Sequence, residues 1–248
     1  LIGGSFGMAL KERGLANKLI GIGRNPERLQ LAVDMGAVDS WSTDLESSVR
    51  DADLIYISTP VSLVSEFTRQ VVPFAKSGAI ITDAGSTKAE ICADADKLLR
   101  EGVTFIGGHP MAGSHAVGVE AARPDLFVDS TYVLTPTEKT GAETVTILKG
   151  LAEGVGARTI LMDPQAHDRC AAVISHIPHL LAAALISLAQ EQSVRDPQVF
   201  DLIAGSFRDM TRVAGSSPVL WRDICMTNVT DISEAATLFK HILDKGLN

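Results

Sequence analysis

The chain has 248 residues, 46% of them hydrophobic, and its 22 basic and 30 acidic side chains give a formal net charge of -8. That length can bury a sizeable core in one large or two modest domains, and the acidic balance argues against nucleic acid or an anionic membrane as a partner. Three widely spaced cysteines, Cys92, Cys170 and Cys225, imply neither a disulfide framework nor a cysteine zinc site and point to a reducing cytoplasm.

The chain opens on Leu1-Ile2-Gly3-Gly4-Ser5-Phe6-Gly7, which runs into a helical stretch over residues 8–13 closed by Gly14 at a C-cap position. An apolar strand over residues 18–23 ends at Arg24, and Asn25, Pro26 and Glu27 then supply the N-cap, first-turn proline and acidic residue of a helix. Short apolar runs at 53–58, 79–83, 103–106 and 131–134 read as further strands of the kind buried on both faces. The alternation predicts an α/β, Rossmann-type, doubly wound and mostly parallel sheet.

In that setting Gly3 fits the last glycine of a G-x-G-x-x-G dinucleotide fingerprint, where backbone N–H groups at a helix N-terminus meet a pyrophosphate. Gly3, Gly4 and Ser5 are therefore candidate cofactor-binding residues, and the first strand with the first two glycines would precede residue 1. A tight strand-to-helix turn with no ligand is the competing reading. At the end of the next strand, Gly23-Arg24-Asn25 offers no carboxylate for ribose hydroxyls. That favours NADP, with Arg24 and Arg28 at the 2′-phosphate; if Arg24 stacks on adenine or points to solvent, NAD serves instead.

Residues 107–113, Gly-Gly-His-Pro-Met-Ala-Gly, place one histidine where backbone can come close to a ligand. Pro110 disfavours the helical region for His109, so the imidazole is expected to be aimed from a loop, as a catalytic base would be. An ordinary glycine-rich turn with an exposed histidine is the alternative.

Six blocks in order carry a family resemblance: Leu1-Ile2-Gly3-Gly4-Ser5; Ser58-Thr59-Pro60; Thr82-Asp83-Ala84-Gly85-Ser86-Thr87-Lys88; residues 107–113; Ser175-His176-Ile177-Pro178-His179; and Gly205-Ser206-Phe207-Arg208-Asp209-Met210-Thr211-Arg212. Together they resemble the prephenate/arogenate dehydrogenases of tyrosine biosynthesis, from residue 1 to Trp221-Arg222-Asp223-Ile224. The resemblance implies oxidative decarboxylation of prephenate to 4-hydroxyphenylpyruvate, or of arogenate to tyrosine, with NAD(P). It implies that His109 accepts a hydrogen bond from the ring hydroxyl. Ser86 is implied to bond the same hydroxyl or the imidazole, against a competing role as a helix cap. Arg212 is implied as the carboxylate-binding guanidinium, His176 and His179 as substrate-pocket histidines, and Ser58, Thr59 and Pro60 as cofactor contacts. Asp209 is expected to orient Arg212 at i,i+3, against a surface pair of small value. Some members carry an acidic residue where this chain has His115, so an acidic gate does not carry over.

Asp163-Pro164 marks the expected boundary between a dinucleotide-binding domain, 1–163, and a helical substrate and dimerisation domain, 164–248. The longest apolar run, 180–189, is about half of a membrane span, and no basic-then-apolar leader precedes the fold. Pro178 should kink or break its helix. Residues 180–186, apolar on all faces, fit a helix buried inside one subunit or between two, and the resemblance favours an intertwined homodimer. His-x-x-His at 176–179 lacks a third ligand at matching spacing, so no metal is expected. A β-hydroxyacid dehydrogenase would share this layout, but it would need a catalytic lysine in the second domain, and residues 163–239 contain none. A non-catalytic NADP sensor is the other alternative, disfavoured by the concurrence of His109, Ser86 and Arg212. A fused chorismate mutase has no room.

Overall fold

The computed structural model describes residues 1–113 and 116–247 and divides into two compact units, Leu1–His167 and the residues from Asp168 onward. In the first unit, α1 (Ile2–Glu12), α2 (Pro26–Asp34), α3 (Leu45–Val49), α4 (Val64–Val71), α5 (Ala89–Leu98) and α6 (Ala142–Gly154) alternate with seven strands. The strands are β1 (Ile20–Ile22), β2 (Ser40–Ser42), β3 (Leu54–Ile57), β4 (Ile80–Asp83), β5 (Thr104–Pro110), β6 (Thr131–Thr135) and β7 (Arg158–Leu161). β1 pairs only with β2, and β3-β4-β5-β6-β7 form a five-stranded sheet in that order. Every pairing is parallel except β5 with β6.

The antiparallel pair has a local cause. Parallel neighbours need a crossover, usually a helix, to return the chain to the same end, and the connection from β5 to β6 contains no helix among its described residues. It also corrects the placement of His109. The histidine lies not in a loop but near the end of β5, opposite Val133, and Pro110 pairs with Tyr132. Gly107 and Gly108 serve close packing: a Cβ on Gly107 would meet Cys92 Sγ at 2.8 Å and one on Gly108 would meet the Asp83 carbonyl oxygen at 2.5 Å.

α1 begins earlier than expected, at Ile2, and ends before Gly14, whose φ of 64° is the left-handed conformation of a chain leaving a helix. Asn25 accepts the Arg28 N–H at 2.9 Å with Pro26 in the first turn of α2, as the sequence predicts. Phe6, Ala9 and Leu10 of α1 pack with Ile80, Ile106, Tyr132 and Leu134 of the sheet and with Leu148 and Ala152 of α6. Phe6 stacks on Tyr56 of β3, with centroids 4.4 Å apart. This core fixes the start of α1 against the sheet.

The second unit is helical. α7 (Pro164–Ala171) runs across the division between the units into a π turn, Ala172–His176, and then α8 (Ile177–Ser193), followed by α9 (Gly205–Thr211), α10 (Pro218–Met226) and α11 (Val229–Leu247). Pro178 neither breaks nor ends this run. It sits in the first turn of α8, just after the π turn has shifted the hydrogen-bond register, where its missing N–H costs least.

The continuous helix Pro164–Ser193 is long and apolar enough, by length and composition, to cross a membrane, which exceeds what the run 180–189 alone suggests. Nor is α8 buried on every side within this chain. Ala182 and Ala189 are covered, while Leu180 and Leu188 on α8, and Val173 and Ile174 in the π turn, are exposed.

Candidate active site

In the first unit the site is built on the C-terminal ends of the strands and the start of α1. Leu1 gives α1 no side-chain cap, so the N–H groups of its opening turn are not closed off by a capping side chain. Gly3 packs directly on Ser58, the residue after β3, whose hydroxyl a Cβ at Gly3 would strike. Gly4 is covered by Val119 and Ala122, each within 3.1 Å of where its Cβ would stand. Ser5 lies deeper than Gly3 and Gly4. Its hydroxyl is buried and accepts the Arg123 N–H at 3.1 Å, and its own N–H bonds the Leu1 carbonyl, so part of its polar capacity holds the fold.

Ser58 and Pro60 are exposed, while Thr59 carries a buried hydroxyl with no hydrogen-bond partner among the described residues. Arg24 is exposed just beyond β1, and Arg28 lies in the first turn of α2. An uncapped helix start, a glycine with no side chain, an unsatisfied hydroxyl after β3 and a cation after β1 are the kinds of group a dinucleotide site uses.

Behind these residues lies a polar knot that sequence reading missed. Asp83, ending β4, and Lys88, just before α5, form an ion pair with both side chains fully buried. The Asp83 carboxylate also accepts the Gly85 N–H at 2.7 Å and the Gly108 N–H at 3.1 Å, and Lys88 Nζ donates to the Gly108 carbonyl at 2.8 Å. Ser86 lies half-buried on the turn these bonds close. The N-cap of α5 is Lys88, two residues beyond Ser86. The available signal was an acid and a base five residues apart around Gly85 at a strand end.

His109, next to Gly108 on β5, has its Nδ1 2.8 Å from Nε2 of His167 on α7, the two rings meeting edge to face. His167 is 3% exposed and lies 58 residues from its partner, a separation no local pattern reveals. His115 lies outside the described residues.

In the second unit His179 of α8 stacks on Trp221 of α10, with ring centroids 3.6 Å apart and planes 6° from parallel. It is 8% exposed, and its Nδ1 has no partner among the described residues. Burial lowers its pKa below the ordinary imidazole value, against an opposing hydrogen bond with the Val213 backbone, which favours the neutral ring. Val213 follows Arg212 in the 3-10 turn Arg212–Gly215, so that contact brings the turn carrying Arg212 to His179. Arg212 and Asp209 are both exposed, and no ion pair joins them among the described residues.

His176 has different surroundings. It is 1% exposed, its Nδ1 lies 3.3 Å from Asn228 Nδ2, and its ring meets Trp221 edge to face. Asn228 also donates to the Asp168 carbonyl at 2.9 Å. His176 thus braces Trp221 and α11. Among the described residues no three His, Cys, Asp or Glu side chains converge as a metal-binding group.

Residues 6–161 match the family model described as prephenate dehydrogenase, nucleotide-binding domain, and residues 163–246 match the one described as prephenate dehydrogenase, dimerization domain. A prephenate dehydrogenase of Bacillus subtilis (strain 168) is 39% identical, covering 99% of this chain and 66% of its own length, so the chain spans about two thirds of that relative. Prephenate dehydrogenase from A. aeolicus, solved with hydroxyphenyl propionate and NAD+, superposes with a TM-score of 0.91 at 34% identity, covering 98% of this chain and 85% of that one. Synechocystis arogenate dehydrogenase gives 0.87 at 34% identity, with 99% and 87% covered.

The buried pair generates a stability prediction. Lys88→Met leaves the Asp83 carboxylate buried without its cation and should cost about 3–5 kcal/mol. Urea unfolding should show this as a lower midpoint at unchanged slope; an unchanged midpoint would contradict the pair's structural role.

Proposed function

The chain belongs to the prephenate dehydrogenase family, and we propose that it catalyses oxidative decarboxylation of prephenate to 4-hydroxyphenylpyruvate with a nicotinamide dinucleotide. The observation that carries this reading is His109 at the end of β5, held against His167 and tied through the Asp83–Lys88 pair to the turn bearing Ser86. The bound nicotinamide supplies the hydride acceptor. Hydride leaves the ring carbon bearing the hydroxyl, the bond to the ring carboxylate breaks to release carbon dioxide, and its electron pair completes the aromatic ring. The hydroxyl hydrogen stays on oxygen in the product.

His109 therefore has to accept a hydrogen bond from that hydroxyl as positive character develops on it, and Ser86 supports the same group. Arg212 and His179 hold the substrate's anionic and keto groups, the guanidinium through its bidentate fork. His176 contributes by bracing Trp221 rather than by contact, and Asp209, exposed and not ion-paired with Arg212, is assigned no role.

Residues 1–163 form the nucleotide half in this reading and 164–248 the substrate and dimerisation half. Arg24 and Arg28, with no carboxylate at the end of β1, favour NADP+ over NAD+, although the A. aeolicus relative was solved with NAD+. The exposed apolar face of the π turn and α8 is covered by a second copy in a homodimer rather than by lipid, in the cytoplasm. Gly3 and Gly4 receive the pyrophosphate through backbone, beside Ser58, Thr59 and Pro60. Arogenate is the second reading, favoured by likeness to the Synechocystis enzyme.

A turnover assay crossing prephenate and arogenate with NAD+ and NADP+ tests substrate and cofactor together; turnover of neither substrate overturns the proposal. Arg24→Asp should shift the cofactor ratio toward NAD+, and an unmoved ratio would remove Arg24 from the phosphate. His109→Asn should lower kcat about 100-fold or more with little change in KM; near-normal turnover would exclude the histidine. Arg212→Ala should raise the KM for prephenate roughly tenfold or more, since a charge-assisted hydrogen bond contributes about 1.5–3 kcal/mol. An unchanged KM would sink the clamp.

A further inference from the structure

The His109–His167 contact is held from both sides. On one side Gly108, adjacent to His109, is fixed by the Asp83 carboxylate at its N–H and by Lys88 at its carbonyl. On the other, Asp163 starts α7 twice over: its carboxylate accepts the Ala166 N–H at 2.9 Å and its carbonyl accepts the His167 N–H at 2.9 Å. The two rings meet at 69° with centroids 5.0 Å apart, and Nδ1 and Nε2 are 2.8 Å apart. That is hydrogen-bond distance.

When both rings are neutral, one hydrogen lies between those nitrogens, and its position decides what His109 can do. If His167 donates, His109 carries its hydrogen on Nε2 and can only donate there. If His109 donates from Nδ1, its Nε2 keeps a lone pair and can accept.

We propose that His167 is a positioning residue: its Nε2 accepts the Nδ1–H of His109, fixing the tautomer in which His109 Nε2 accepts the substrate hydroxyl. The functional half of this assignment rests on the reaction proposed above, whereas the tautomer itself does not. His167 touches no reacting atom in this scheme and works only through His109. Such an arrangement resembles the general rule that a catalytic imidazole needs a second group on its far nitrogen.

The test uses the full chain with 15N-labelled histidine, at about pH 8, above the ordinary imidazole range, together with His167→Gln and His167→Leu. Glutamine keeps an acceptor oxygen near the position of Nε2; leucine keeps bulk but no acceptor. Nitrogen shifts should report His109 protonated on Nδ1 and bare on Nε2 in the wild type and in His167→Gln, and a mixture of tautomers in His167→Leu. In prephenate turnover, His167→Leu should lose roughly 100-fold in kcat, below the ~10,000-fold that a wholly wrong tautomer can cost. Its KM should stay within about twofold, and His167→Gln should recover most of the lost rate.

A wild-type His109 protonated on Nε2 overturns the proposal, as does an unchanged kcat in His167→Leu. Equal loss in a folded glutamine and leucine variant also overturns it, because that outcome means packing alone. Should the leucine variant fail to fold, the wild-type spectrum and the glutamine variant still decide. Wild-type protein that turns over neither substrate refutes the reaction, and the nitrogen shifts then judge the tautomer separately.

Discussion

The first unit depends on one buried ion pair. Two charges taken out of water carry a desolvation cost of several kcal/mol each, and their attraction offsets it only when the remaining donors and acceptors are satisfied. Here they are satisfied by backbone: Gly85 and Gly108 donate to Asp83, and Lys88 donates to the Gly108 carbonyl. The pair joins the end of β4, the turn of residues 84–88 and β5. That turn bears Ser86, and the strand bears His109. Geometry is what such a knot specifies, more than stability, since neither neighbour can shift without unpairing a buried charge. It also explains the glycines, because a side chain at Gly107 or Gly108 would occupy the space of Cys92, Thr135 or the Asp83 backbone.

How much of this was legible in the sequence follows from which interactions are local. β3 and β4 were readable because strands buried between layers are mainly apolar, and α2 because its cap, proline and acid lie within three residues of one another. β2, Ser-Trp-Ser, is too short and polar to register, and β7 is an edge strand whose Ile160 and Leu161 are largely exposed. The Gly-Gly-His-Pro run suggested a loop because glycine and proline usually mark turns. Here the tertiary context overrode that preference by using the missing Cβ atoms for close packing within a strand. Ser86 and His109 were singled out as candidates from motif order, but the bonds from Asp83 and Lys88 to Gly108 and from His167 to His109 cross the fold and leave no periodic trace.

The helical unit shows the same distinction in one short segment. His176 and His179 are three residues apart, a spacing that puts two side chains on one helix face and invites a shared role. The helix changes from π to α between them, and their surroundings diverge. His176 is almost completely buried and bonded to Asn228, so its ring is part of the packing that positions Trp221.

His179 is nearly as buried, yet one of its nitrogens has no partner. A buried polar atom left unsatisfied costs about 1–3 kcal/mol, and folds rarely retain such a cost without a use for the atom. The stacking on Trp221 makes the position rigid, and the contact with Val213 links it to the turn carrying Arg212. Burial favours the neutral ring, which can offer either a lone pair or an N–H to an incoming polar group without adding charge. A neutral, rigid, incompletely bonded imidazole beside a guanidinium-bearing turn suits an anionic, oxygen-rich ligand whose second polar group is not itself charged.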